Sequence, residues 1–167
     1  TLDNLDKTSD TVTWDNLTYR LPKGMMLDRE EKSDNFQGRV YVGDGMKLVV
    51  ARSALADKAL PIQLYTQTVL KHFFYKKNPI LVKDIPLQAA LIWNNGVPSY
   101  LLEQYNPGKK SRIFHLITDG KYEYYISLAY EDGKTKYNHI ELRNIMEYLD
   151  FGNAKQLRHA SNKRVKK

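Results

Sequence analysis

A chain of 167 residues with 42% hydrophobic and 27% charged residues has a globular composition and suits one domain with a substantial core. The absence of cysteine excludes disulfides, thiol nucleophiles and thiolate metal sites, and no apolar run approaches the roughly 20 residues of a membrane-spanning helix. The net charge of +7 sits largely in the tail 153–167, where Lys155, Arg158, Lys163, Arg164, Lys166 and Lys167 occur with no acid, leaving the remainder close to neutral.

Residues 1–16 are acidic and rich in Ser and Thr, and read as an extended lead-in docked by Trp14. The alternation from Leu17 to Leu21 predicts a first strand, stopped by Pro22-Lys23-Gly24. Met25 to Asn35 is polar after two methionines and is assigned no element. Strands are predicted at Arg39–Val42 and Met46–Arg52, joined by a tight turn at Asp44-Gly45. An amphipathic helix opens at Pro61 and runs to Lys77, with Ile62, Tyr65, Val69, Leu70, Phe73 and Phe74 on its buried stripe.

Beyond Pro79 the pattern returns to β. Ile80–Lys83, Leu87–Trp93 and Ser99–Tyr105 read as strands, separated by Pro86 and by the Asn94-Asn95-Gly96 turn. Arg112–Thr118 and Lys121–Tyr130 form a predicted hairpin about Asp119-Gly120. Along its second strand Tyr122, Tyr124, Ile126, Leu128 and Tyr130 share one side. Asn138 and Glu141 have the spacing of a capping box, opening a second helix whose stripe is Leu142, Ile145, Met146 and Leu149, with Gly152 as its terminator.

The residues show little chemistry. His72, His115, His139 and His159 lack metal-ligand spacing, and no Gly-x-Ser-x-Gly elbow is present. His115, between Phe114 and Leu116 on the opposite side of the pleat, is expected to face solvent or a groove. Gly43-Asp44-Gly45 is a hairpin turn, because the Gly-Lys-Ser/Thr ending of a phosphate loop is missing. The tyrosines follow strand alternation rather than a nucleic-acid stacking platform, so no specific nucleic acid is expected. The reading is therefore not an enzyme, with no catalytic residue, cofactor or metal. Several strands are apolar on both faces, and an incompletely covered sheet face is a protein-binding surface.

Element order and scattered residues give the chain a family likeness. The matching features are Leu21-Pro22-Lys23-Gly24 followed by Asp28-Arg29, then Leu48-Val49-Val50-Ala51-Arg52 running into a connector from Ser53 to Leu60. Leu64-Tyr65 in the first helix, the Asp119-Gly120 hairpin and a closing helix near Phe151 complete the set. Over Leu17 to Phe151 the chain resembles the PsbP-like superfamily, in particular its DcrB-like branch and the Eag-type chaperones of type VI secretion effectors.

That resemblance implies an α+β fold: an α/β/α sandwich of one antiparallel sheet of about six to seven strands with two main helices, over residues 17–152. It implies a non-catalytic effector chaperone or adaptor, usually dimeric, that shields apolar helical segments of a partner. The groove candidates are Val40, Val42, Leu48, Val50, Tyr100, Leu102 and Gln104. The alternative is a periplasmic envelope lipoprotein or assembly factor of the DcrB type, which the acidic lead-in suits. The compartment stays open between the two: cytoplasmic if Eag-like, periplasmic or membrane-anchored if DcrB-like. The opening on Thr1 rather than Met leaves the preceding sequence open too. The basic tail reads as a disordered end able to contact an anionic surface.

Overall fold

The computed structural model describes residues 9–54, 88–94, 97–118 and 122–151; for 88–94, 97–98, 100, 118 and 151 the backbone course alone is described. The chain runs β1 (Ser9–Trp14), β2 (Leu17–Pro22), β3 (Met26–Lys32), β4 (Phe36–Gly43), β5 (Met46–Ala54), β6 (Gln88–Asn94), β7 (Val97–Gln104), β8 (Lys110–Thr118) and β9 (Tyr122–Glu131). Helix α1 (His139–Glu147) and β10 (Leu149–Phe151) follow. The strands form two antiparallel sheets: β1-β2-β10, and a seven-stranded sheet in the order β3-β4-β5-β9-β8-β7-β6.

The expected α/β/α sandwich with two main helices is corrected by this architecture. The described chain is mostly strand, in two sheets, with α1 its one short helix. Three stretches account for the difference. The lead-in is strand β1, paired with β2 from Ser9↔Pro22 to Trp14↔Leu17. The stretch left without structure contains β3, all seven of whose residues are exposed. An edge strand with no buried face shows no period-2 signal, and its Asp28-Arg29-Glu30-Glu31-Lys32 run guards the edge against further pairing. The closing helix stops at Glu147, and Leu149, expected on its stripe, instead starts β10 opposite Tyr19. The predicted helix from Pro61 to Lys77 and the strand Ile80–Lys83 lie outside the described residues.

Alternation places the core. On β5 and β9 the facing residues Leu48, Val50, Ile126 and Leu128 are fully buried, and each such side chain contributes roughly 1.5–3 kcal/mol by leaving water. Leu17, Tyr19 and Leu21 of the small sheet and Leu142, Ile145 and Met146 of α1 close onto the same side, so the small sheet and the helix share one face of the large sheet. The Asn138–Glu141 capping box forms in both directions, which explains why α1 starts where the sequence says it does. At the β4–β5 turn Asp44 takes hydrogen bonds from Thr135 Oγ1 (2.8 Å) and the Lys136 amide (3.1 Å), tying the loop before α1 to the sheet.

Candidate functional site

The cross-strand rows of the large sheet put a polar line beside the core. Lys32 of β3 pairs with Gln37 of β4, Gln37 with Arg52 of β5, and Arg52 with Tyr124 of β9. Arg52 has the same parity as Leu48 and Val50 and therefore points inward, where it is only 5% exposed. The free end of the β1–β2 hairpin, Trp14 and Asp15, reaches this row from the small sheet.

The guanidinium of Arg52 stacks against Trp14 at 4.3 Å and Tyr122 at 4.5 Å from the ring centroids. Arg39, one row along β4, stacks on Trp14 as well, at 4.6 Å, and its Nε lies 3.4 Å from Glu30. Gln37 Oε1 accepts from Arg52 Nε at 2.8 Å and from Nη2 as well. Arg52 Nη2 also meets Asp15 Oδ2 at 2.7 Å, while Nη1 is buried with no hydrogen-bond partner. Burial works against the charge of Arg52; Asp15 and Tyr124 more than offset it and raise its pKa above the ordinary arginine value.

These groups border an open cavity of about 230 Å³ lined by Trp14, Asp15, Glu30, Glu31, Lys32, Gln37, Gly38, Arg39 and Arg52. Its polar lining differs from the mostly apolar walls of a typical small-molecule pocket. What the cleft offers chemically is recognition: a fixed fork of donors, two rings and a small excess of positive charge.

Two histidine-centred arrangements lie elsewhere. His115 and Ser99, both fully buried, are 2.7 Å apart through Nε2 and Oγ, and His115 Nδ1 donates to the Met146 carbonyl at 2.9 Å. A Ser–His pair with an oriented ring has the geometry of a hydrolase dyad, but burial denies it a substrate, and burial lowers the His115 pKa to about 4. His115, expected to face solvent or a groove, instead shares the buried inward face with Ile113 and Ile117. The second arrangement joins the sheet to α1. His139 Nε2 donates to Glu103 Oε1 at 2.7 Å, His139 Nδ1 meets the Tyr130 hydroxyl, and Arg143 Nε donates to Glu103 Oε2 at 2.6 Å. Burial raises the Tyr130 pKa, so this phenol keeps its proton and acts as a hydrogen-bonding post. Among the described residues no three His, Cys, Asp or Glu are grouped to hold a metal.

The groove candidates do not form one lining. Leu48 and Val50 are on the face packed against the small sheet, whereas Val40, Val42, Leu102 and Gln104 are on the other. Val40 (3%), Leu102 (2%) and Gln104 (1%) are covered, and Val42 (39%) is open. Residue Tyr100 shares the parity of Leu102, and its side chain lies outside the described residues, as do the tail residues Lys155, Arg158, Lys163, Arg164, Lys166 and Lys167. The arginine cleft was missed at the sequence level. Its signal was an arginine at an inward position of an otherwise apolar alternation, Leu48-x-Val50-x-Arg52.

Among the described residues, fold and cleft together define an antiparallel two-sheet β architecture with an arginine-lined recess where the sheets meet. No protein-family model and no curated protein matches the chain. A solved structure from Bacteroides thetaiotaomicron VPI-5482 is similar at a TM-score of 0.49 and 8% sequence identity, covering 84% of this chain. The chain spans 46% of that structure's length.

Proposed function

We propose that this chain is a non-catalytic binding protein that recognises a protein partner at the Trp14–Arg39–Arg52 cleft. The observation that carries the reading is the state of Arg52, an arginine nineteen-twentieths buried beside an open cavity with one guanidinium nitrogen unused. Buried polar groups are normally paired, and a buried donor left over next to a contact that a ligand can displace is a place where the ligand improves on the free protein. The burial of the Ser99–His115 pair supports the non-catalytic part.

The effector-chaperone role implied by the resemblance puts an apolar helix on a sheet face. That version needs Val40, Leu102 and Gln104 to become uncovered, whereas the cleft is already open. A polar group of the partner is therefore the better-supported contact. The test is an amide NMR titration with blocked peptides of differing charge and apolarity. Shifts centred on Trp14, Lys32, Gln37–Arg39 and Arg52 are expected. Shifts confined to the surroundings of Val42, or none with any peptide, would overturn the reading.

A further inference from the structure

We propose that the group bound in this cleft is a peptide carboxylate, and that it exchanges with Asp15 at the outer end of the Arg52 guanidinium. The inference rests on the binding reading above and adds the chemistry of the ligand.

An arginine has five N–H donors in a fixed fork. Gln37 uses the Nε hydrogen and one Nη2 hydrogen, and Asp15 uses the other end of Nη2. Tyr124 also bonds the guanidinium, and Nη1 is buried with no hydrogen-bond partner. Asp15 thus holds the fork by one prong. A carboxylate seated end-on takes one hydrogen from Nη1 and the one that Asp15 holds on Nη2, converting a single contact to the paired geometry that arginine favours.

Asp15 is suited to leaving. Its side chain is 63% exposed, so its carboxylate returns to water at little cost, and it sits at the turn between β1 and β2. Charge bookkeeping selects the ligand class. Lys32, Arg39 and Arg52 meet Asp15 and Glu30 on the cavity side of the sheet, whereas Glu31 has the opposite parity and its carboxylate pairs with Arg29, so the cleft carries one positive charge in excess. A monoanion on the fork neutralises that excess, whereas a phosphate dianion overshoots it and adds repulsion from Glu30. The volume of about 230 Å³ accepts a side chain or a chain terminus, below the roughly 300–1,000 Å³ of typical small-molecule pockets.

The test uses the full chain, calorimetry, and Trp14 fluorescence as a second signal. The probes are acetyl-trialanine as the free acid, the same peptide as its amide, acetyl-Ala-Asp-Ala-amide, and inorganic phosphate. Binding of the free acid or the aspartyl peptide, with the neutral amide weaker by at least about tenfold, is expected, and the stronger of the two identifies the source of the carboxylate. Asp15→Asn removes the competing charge yet suits the left-handed backbone at φ 53°, and should tighten the carboxylate peptide by about tenfold. Arg52→Lys keeps the charge, loses the fork and should abolish the preference. Because Arg52 is buried and its replacement can disturb folding, Asp15→Asn is the deciding variant. Equal binding of acid and amide, an unchanged Asp15→Asn affinity, or phosphate binding more tightly than either carboxylate peptide would overturn the carboxylate and leave the cleft as a binding site. Failure of all peptides to bind would overturn both.

Discussion

His115 and Ser99 share a hydrogen bond of 2.7 Å at a point where neither side chain meets solvent. The ring bridges β8 and β7, and through Nδ1 it also holds the Met146 carbonyl near the end of α1. A carbonyl oxygen only accepts, so Nδ1 carries the proton and Nε2 accepts from the serine hydroxyl. This neutral tautomer fastens the helix to the sheet, and protonation would put a charge in the core.

The pH dependence follows. The folded pKa of about 4 lies below the ordinary value of 6.5, so between these two values the unfolded chain takes up a proton that the folded chain refuses. Stability is unaffected by this group above pH 6.5 and falls as pH drops toward 4, by an amount on the order of 3 kcal/mol. Urea denaturation at pH 7.5 and pH 4.5 should show that loss in the wild type and a smaller one in His115→Gln. An equal loss in the variant would remove His115 as its cause.

Gly43 predicts a backbone limit. Its φ is +147°, and a Cβ built there would lie 2.0 Å from the Gly24 carbonyl oxygen. Both partners are backbone, so no rotamer relieves the overlap. Gly43→Ala should cost about 3 kcal/mol or more. A thermal midpoint within a degree or two of the wild type would show that the β2–β3 connection shifts freely.

The capping box of α1 predicts a smaller effect. Asn138 Oδ1 accepts from the Glu141 amide at 2.8 Å, and Glu141 Oε1 accepts from the Asn138 amide at 3.1 Å. Asn138→Ala should cost about 1 kcal/mol, read from the denaturant midpoint at unchanged slope.

Glu103 joins β7 to His139 and Arg143 of α1, and is itself mostly buried. Glu103→Gln removes the charge that both partners meet and should cost about 1–3 kcal/mol. Because Arg143 has a second carboxylate at Glu147, 3.2 Å away, a double-mutant cycle of Glu103→Gln with Arg143→Met should return less than the full loss. A coupling near zero would make the contact incidental.

Much of the large sheet was legible because its strands are apolar and bounded by turn residues, and β9 has two unlike faces. The β9 run from Tyr122 to Tyr130 alternates cleanly, and its inward set is the set that is buried. The start of α1 was legible because its cap is chemically distinctive. What escaped was whatever gains its structure from a neighbour. β3 has no buried face, β1 is short and hydroxyl-rich, and β10 is a three-residue strand whose only signal is Leu149. Those three losses left a single sheet in the expectation where the described residues form two. The cleft escaped for a related reason. Arg39 and Arg52 are ordinary charges in composition, and their meaning appears only when the β1–β2 hairpin brings Trp14 and Asp15 against them.

The central claim is that the outer end of the Arg52 guanidinium is a ligand position that Asp15 occupies in the free protein. The most direct measurement is a crystal structure of the full chain soaked with the carboxylate peptide. The account predicts peptide oxygens within hydrogen-bond distance of both Nη1 and Nη2 of Arg52, with Asp15 turned to solvent. Peptide density elsewhere, or Asp15 still on Nη2 in saturated crystals, would contradict it.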